Sequence, residues 1–203
     1  MFIQTIQGNI TGDTSELKEA LDHWKRDLGP GAQGWLGSTA GVTDQGTFIC
    51  LARFESPEAA RLNSERHEQH RWWMETSKLF AGEVRFHDCR ETDVFLDGGS
   101  DDAGFVQIMQ GRISDLPGLR RYLASLDESA MREFRPDLIG SVVAIQDDGG
   151  FTEAAYFTSE AAAREGERKE PSPEMRDEMQ KMMAYYEGEW TYLDLRDPWL
   201  YSP

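Results

Sequence analysis

Apolar positions in the first ten residues, Phe2–Ile10 (FIQTIQGNI), crowd as they do in a strand, and Gly12-Asp13-Thr14-Ser15 closes the run with turn chemistry. Leu17, Leu21, Trp24 and Leu28 then recur at helical spacing, with Ser15 placed as N-cap and Gly29-Pro30-Gly31 as the stop. Trp35–Val42 and Phe48–Phe54 read as two strands joined through Thr43-Asp44-Gln45-Gly46, an antiparallel hairpin. Ser56-Pro57-Glu58 opens a second helical region: a capping hydroxyl, a proline where its missing N–H costs nothing, and an acid at the positive end of the dipole. This region runs to about Phe80, with a break near Arg66–Glu68, and a strand over Val84–Phe95 completes β-α-β-β-α-β, the ferredoxin-like order.

The pattern then returns. FICLARFESPEAAR at Phe48–Arg61 comes back as FTEAAYFTSEAAAR at Phe151–Arg164, 103 residues later, and the spacing holds without a gap from Phe2 against Phe105. The second copy has a strand at Phe105–Ile113, a helix marked by Leu119, Tyr122, Leu123 and Leu126, and a hairpin of Leu138–Gln146 with Phe151–Phe157. Ser159 caps its second helix, which Pro171 and Pro173 interrupt. Helicity resumes with Met175, Met179, Met182, Met183 and Tyr186 on one face, and Trp190–Arg196 is the closing strand. Between the copies, Asp97–Gly104 is polar and glycine-rich. The expected domains are therefore residues 1–96, a linker at 97–104, and residues 105–203.

In Phe48–Phe54 both faces are largely apolar, which marks a strand buried on two sides. Helices cover only one face of a four-stranded sheet, so the other repeat is the expected cover for the second. The predicted fold is α+β: two ferredoxin-like repeats whose antiparallel sheets pack face to face as an intramolecular pseudo-dimer, closed in the manner of a barrel. Further self-association into homo-oligomers stays open.

The strand FIQTIQGNI and the hairpin leading to FICLARFESPEAA, with their second-copy counterparts, resemble tandem antibiotic-biosynthesis monooxygenase-like domains of the dimeric α+β-barrel superfamily. The resemblance covers nearly the whole chain at the level of element order and one short motif. It implies a cofactor-independent monooxygenase acting on a small aromatic or polyketide-like substrate. The alternatives are a non-catalytic small-molecule-binding or pathway-accessory protein, and a haem-binding or haem-degrading protein, since one fold carries many reactions. It also implies that an amide on the first strand points into a pocket between sheet and helices. Simple register puts Gln7 there, with Asn9 on the same face and Gln110 as the second-copy mate of Gln7. Such amides orient a carbonyl or stabilise an enolate, or else satisfy buried backbone groups.

Among other residues, His67 and His70 share a helical face, and His70 is the candidate base or axial ligand. Haem-degrading relatives place a Trp about ten residues before their axial His, where this chain has Ala60. Trp72 and Trp73 cannot both face the sheet, so one is available to wall an aromatic-substrate pocket. Arg53, in an otherwise apolar strand, needs an internal acid or an anionic ligand. His23 and His87 read as structural. The divergence of the copies points to one working pocket at most, in the first half.

Composition narrows the picture. Lys+Arg 21 against Asp+Glu 37 gives a net charge of −16, spread over both halves and the linker, with no basic run to hold nucleic acid or an anionic membrane. Cys50 and Cys89 have no Cys at their repeat mates, Glu153 and Leu195, so two reduced thiols and a cytoplasmic location are expected. No run approaches membrane-spanning length. No metal-ligand spacing, nucleophile elbow, P-loop or dinucleotide fingerprint occurs, so neither a metal nor a cofactor is predicted.

Overall fold

The computed structural model describes residues 1–203. It divides into two compact units, Met1–Thr92 with Asp197–Pro203, and Asp93–Arg196. In chain order the first unit runs β1 (Phe2–Ile10), α1 (Thr14–His23), β2 (Trp35–Val42), β3 (Thr47–Phe54), α2 (Pro57–Ser64), α3 (His67–Thr76) and β4 (Phe80–Cys89). The chain then forms β5 (Glu91–Leu96) and enters the second repeat: β6 (Phe105–Ile113), α4 (Leu116–Leu123), α5 (Glu128–Phe134), β7 (Leu138–Ile145), β8 (Gly150–Phe157), α6 (Glu160–Glu167), α7 (Pro173–Met183) and β9 (Tyr186–Leu195). A short β10 (Trp199–Tyr201) ends it. The fold class is the expected one, α+β with two βαββαβ repeats.

Two separate five-stranded sheets result, in the orders β10-β2-β3-β1-β4 and β5-β7-β8-β6-β9. The ladders do not close into a barrel, because each sheet keeps two edge strands. The two registers repeat faithfully: Gln7 faces Ile49 across β1 and β3, and Gln110 faces Thr152 across β6 and β8.

The structure alters the expected strand Val84–Phe95 and the domain boundary with it. That segment is two strands, β4 and β5, which lie in different sheets. β5 belongs to the second unit, and its counterpart β10 belongs to the first. Glycines accept these added strands: a Cβ on Gly37 (φ +127°) would stand 2.6 Å from the Tyr201 carbonyl oxygen, and one on Gly140 2.9 Å from the Phe95 carbonyl oxygen. Phe95 and Tyr201 are thereby equivalent, and so are Asp93 and Trp199 two residues earlier.

On the helix side of the first sheet, Leu17, Ala40, Phe48, Cys50, Phe80 and Trp199 form one buried cluster. Phe2, Ala32, Trp35 and Phe54 form another. The opposite face is buried as well at Ile3, Thr39, Ile49 and Leu51, and in the second unit at Val106, Ile108 and Tyr156. The two-sided apolar pattern of β3 therefore reports two-sided burial. The methionine stripe does not hold together: Met182 packs on the core, whereas Met179 and Met183 are exposed and Tyr186 starts β9. Asp13, not Ser15, caps α1, its carboxylate accepting from the Ser15 N–H. No helix is long and apolar enough to cross a membrane.

Candidate functional site

Strand alternation decides where the first-strand amides point. Ile6 and Ile10 pack into the helix-side cluster, so Gln7 and Asn9 lie on the helix-free face of β1. The pocket orientation taken from the resemblance is therefore off by one residue in register. Asn9 is exposed, and its Oδ1 accepts from the Thr47 hydroxyl at 3.2 Å. Gln110 donates through Nε2 to the Thr152 hydroxyl at 3.1 Å, also away from the helices. Arg53 is on this face too, where its Nη1 donates to the buried Thr39 hydroxyl at 2.9 Å. These residues do not converge with the histidines or tryptophans. His70 is exposed on α3, and no group of three or more His, Cys, Asp or Glu side chains gathers as a metal site.

The two tryptophans diverge as helical geometry requires. Trp73 turns to the sheet, its ring 5.1 Å from Phe86 and 6.2 Å from Phe80. Trp72 turns the other way and walls a cleft of about 550 Å³ between α1 and α3, a volume suited to a small organic molecule. Its indole N–H donates to the Ala20 carbonyl at 2.9 Å, which fixes the ring. Ala20, Leu28 and Leu79 complete the apolar lining, while His23 and Arg71 bring the polar groups and Glu16, Glu68 and Glu75 contribute acids. Glu68 is paired with Arg66 and Glu75 with Lys78, so the acids are partly neutralised.

What shapes this cleft is a π-helical turn, Trp24–Leu28, that widens the end of α1. Such turns are uncommon and concentrate at functional sites. The turn sends Trp24 toward Trp35, with ring centroids 5.0 Å apart, and lets its indole N–H donate to Gln69 on α3. His23 Nε2 lies 3.1 Å from Asp27 Oδ2 on the same turn, a contact that orients the imidazole. His23 read from sequence as structural; the pairing with Asp27 and the widened turn become visible only in the fold. The i, i+4 spacing of His23 and Asp27 is the one signal the sequence offers for it.

The sequence matches no protein-family model and no curated relative. Its structure does have neighbours. A proposed monooxygenase from Fusobacterium nucleatum superposes with a TM-score of 0.72 at 8% identity, over 99% of this chain and 94% of that one. A proposed monooxygenase from Lactobacillus acidophilus gives 0.70 at 13% identity, over 99% and 95%. An anthrone oxidase-like protein gives 0.62 at 10% identity, over 98% and 93%. At such identities the likeness is one of fold, and it extends the resemblance carried by the hairpin–helix motif to the whole tandem chain.

Proposed function

We propose that this chain is a small-molecule monooxygenase that uses no cofactor and acts on an enolisable aromatic ketone of polyketide type. The observation that carries the reading is the Trp72-walled cleft with His23 oriented by Asp27, set in a fold shared end to end with proposed monooxygenases and an anthrone oxidase-like protein. In this reading the flat substrate lies against Trp72 and Leu28. His23 takes a proton from a methylene conjugated to the carbonyl, in anthrone the ring CH2 opposite it: the C–H bond breaks, an N–H bond forms, and the electron pair moves through the ring system to oxygen as an enolate. Arg71 is the cation available to that developing oxyanion. The enolate adds dioxygen at carbon, and the resulting hydroperoxide loses water to leave a second carbonyl. One oxygen atom enters the product and the other leaves as water.

The test uses anthrone with the full chain in air. Oxygen uptake above the uncatalysed rate, with one labelled atom from ¹⁸O₂ in the quinone product, is the expected result. His23→Ala lowers kcat by roughly 10²-fold or more, whereas Trp72→Ala raises KM. No uptake above background, or turnover indifferent to His23→Ala, overturns the reading.

A further inference from the structure

The two units differ where they should be most alike, between sheet and helices. In the first unit Cys50 and Trp199 are packed in the core and are 4% and 7% exposed. The equivalent residues of the second unit are Glu153 and Asp93, while Leu119, four residues after the capping Asp115 as Leu17 is after Asp13, keeps the buried place of Leu17. Two acids stand where the first unit is apolar, and Asp93 with its partner Arg120 reaches solvent, their side chains 25% and 36% exposed. Nearby, Phe80 is replaced by Tyr186 and Val84 by Trp190. Phe151, Tyr186 and Trp190 meet edge to face with centroids 4.8–5.5 Å apart. Gly111 makes room for these rings, since a Cβ there would stand 2.9 Å from both Phe151 and Trp190.

Charge is not balanced in this cluster. Asp93 and Arg120 answer each other: Arg120 Nε donates to both Asp93 oxygens at 3.1 Å and Nη2 reaches Oδ1 at 3.0 Å. Glu153 meets the Ser141 hydroxyl, and burial raises its carboxyl pKa. Tyr186 sits in the field of both carboxylates, and its phenol is held up by burial first and then by Glu153 and Asp93. Trp190 Nε1 is buried and has no hydrogen-bond partner. An acceptor without a cation and a donor without an acceptor therefore lie at one aromatic wall. A folded chain tolerates such costs mainly at functional sites.

We propose that the sheet–helix space of the second unit binds a small organic ammonium whose apolar body lies along Tyr186 and Trp190 and whose charge is met by Glu153. The site differs from the first-unit cleft in place and in ligand. An ammonium answers the carboxylate's charge, which a neutral alcohol or phenol does not, and aromatic faces attract it further. The net charge of −16 raises the local concentration of cations around the whole molecule.

Isothermal titration of the full chain with tyramine, which joins an ammonium to a ring and a hydroxyl, tests this directly against the uncharged 4-ethylphenol. The expected result is saturable binding of tyramine alone, weakened about tenfold or more by Glu153→Gln and less by Trp190→Phe, with both variants folded by circular dichroism. Equal binding of the two probes, no binding of tyramine at millimolar concentration, or affinity unchanged in Glu153→Gln overturns the proposal. So does a loss of tyramine binding on Trp72→Ala with none on Glu153→Gln, which would move the amine to the first-unit cleft.

Discussion

Cys50 and Glu153 hold the same place in their repeats, and their environments make opposite use of it. Burial pushes the Cys50 thiol up to about 12, and Cys89 is fully buried. Both thiols are therefore expected to stay silent toward a disulfide reagent in the native protein and to titrate fully in 6 M guanidinium. Reaction of the native protein within minutes would contradict the packing. Glu153 behaves differently, because its folded carboxyl sits above the ordinary value of 4.5. The folded state then holds its proton more tightly than the unfolded chain, so the stability linked to this group is present below that value and is lost as pH rises through the raised one. Glu153→Gln is accordingly expected to stabilise the protein by about 1 kcal/mol at pH 7. The gain should shrink toward pH 4 in urea titrations; a gain independent of pH would show that the carboxylate is solvated. Glu153 was visible in the sequence only as an acid between Phe151 and Ala155, because its lack of a cation is a property of its surroundings.

At the scale of elements, local chemistry was a reliable guide where one residue acts on its neighbours. Ser56 and Ser159 cap α2 and α6 as expected, each hydroxyl accepting from the N–H three residues on. Both hairpins are also present with the expected partners. Prediction failed at the ends of repeats. β4 and β5 read as one strand because Arg90, the only residue between them, carries no turn signal. The π-helical turn after α1 likewise keeps an ordinary helical pattern of Leu21, Trp24 and Leu28. β10 contributes only three residues, yet Trp199 is buried against Phe48 in the first core, with centroids 6.3 Å apart. Trp199→Ala should cost about 3–5 kcal/mol, measured by chemical denaturation. A loss below about 1 kcal/mol would make β10 an accessory strand.

For the whole molecule, the exchange of β5 and β10 means that a repeat cut at the glycine-rich segment is not a complete unit. Residues 1–96 lack Trp199, which the first core buries, and Tyr201, which packs against it, and carry β5, which belongs to the second sheet. That fragment is expected to melt non-cooperatively or to self-associate, as judged by calorimetry and sedimentation. A sharp, reversible, monomeric transition would show that the first unit closes without β10. The duplicated registers make the units alike in backbone, while a few substitutions between sheet and helix make them chemically unlike.

By itself the sequence determined the element order, the duplication and the two-sided burial of the central strands. Each of these follows from periodicity, and periodicity is a local property that every residue reports along the chain. Tertiary structure alone decided that the first-strand amides face away from the helices and that Trp72 rather than Trp73 walls a cleft. It also decided that the last strand of each repeat is built into the other unit, and that Glu153 is left without a cation. These depend on one-residue register and on neighbours roughly a hundred positions away in the chain, where a shift of a single residue reverses a side chain's surroundings.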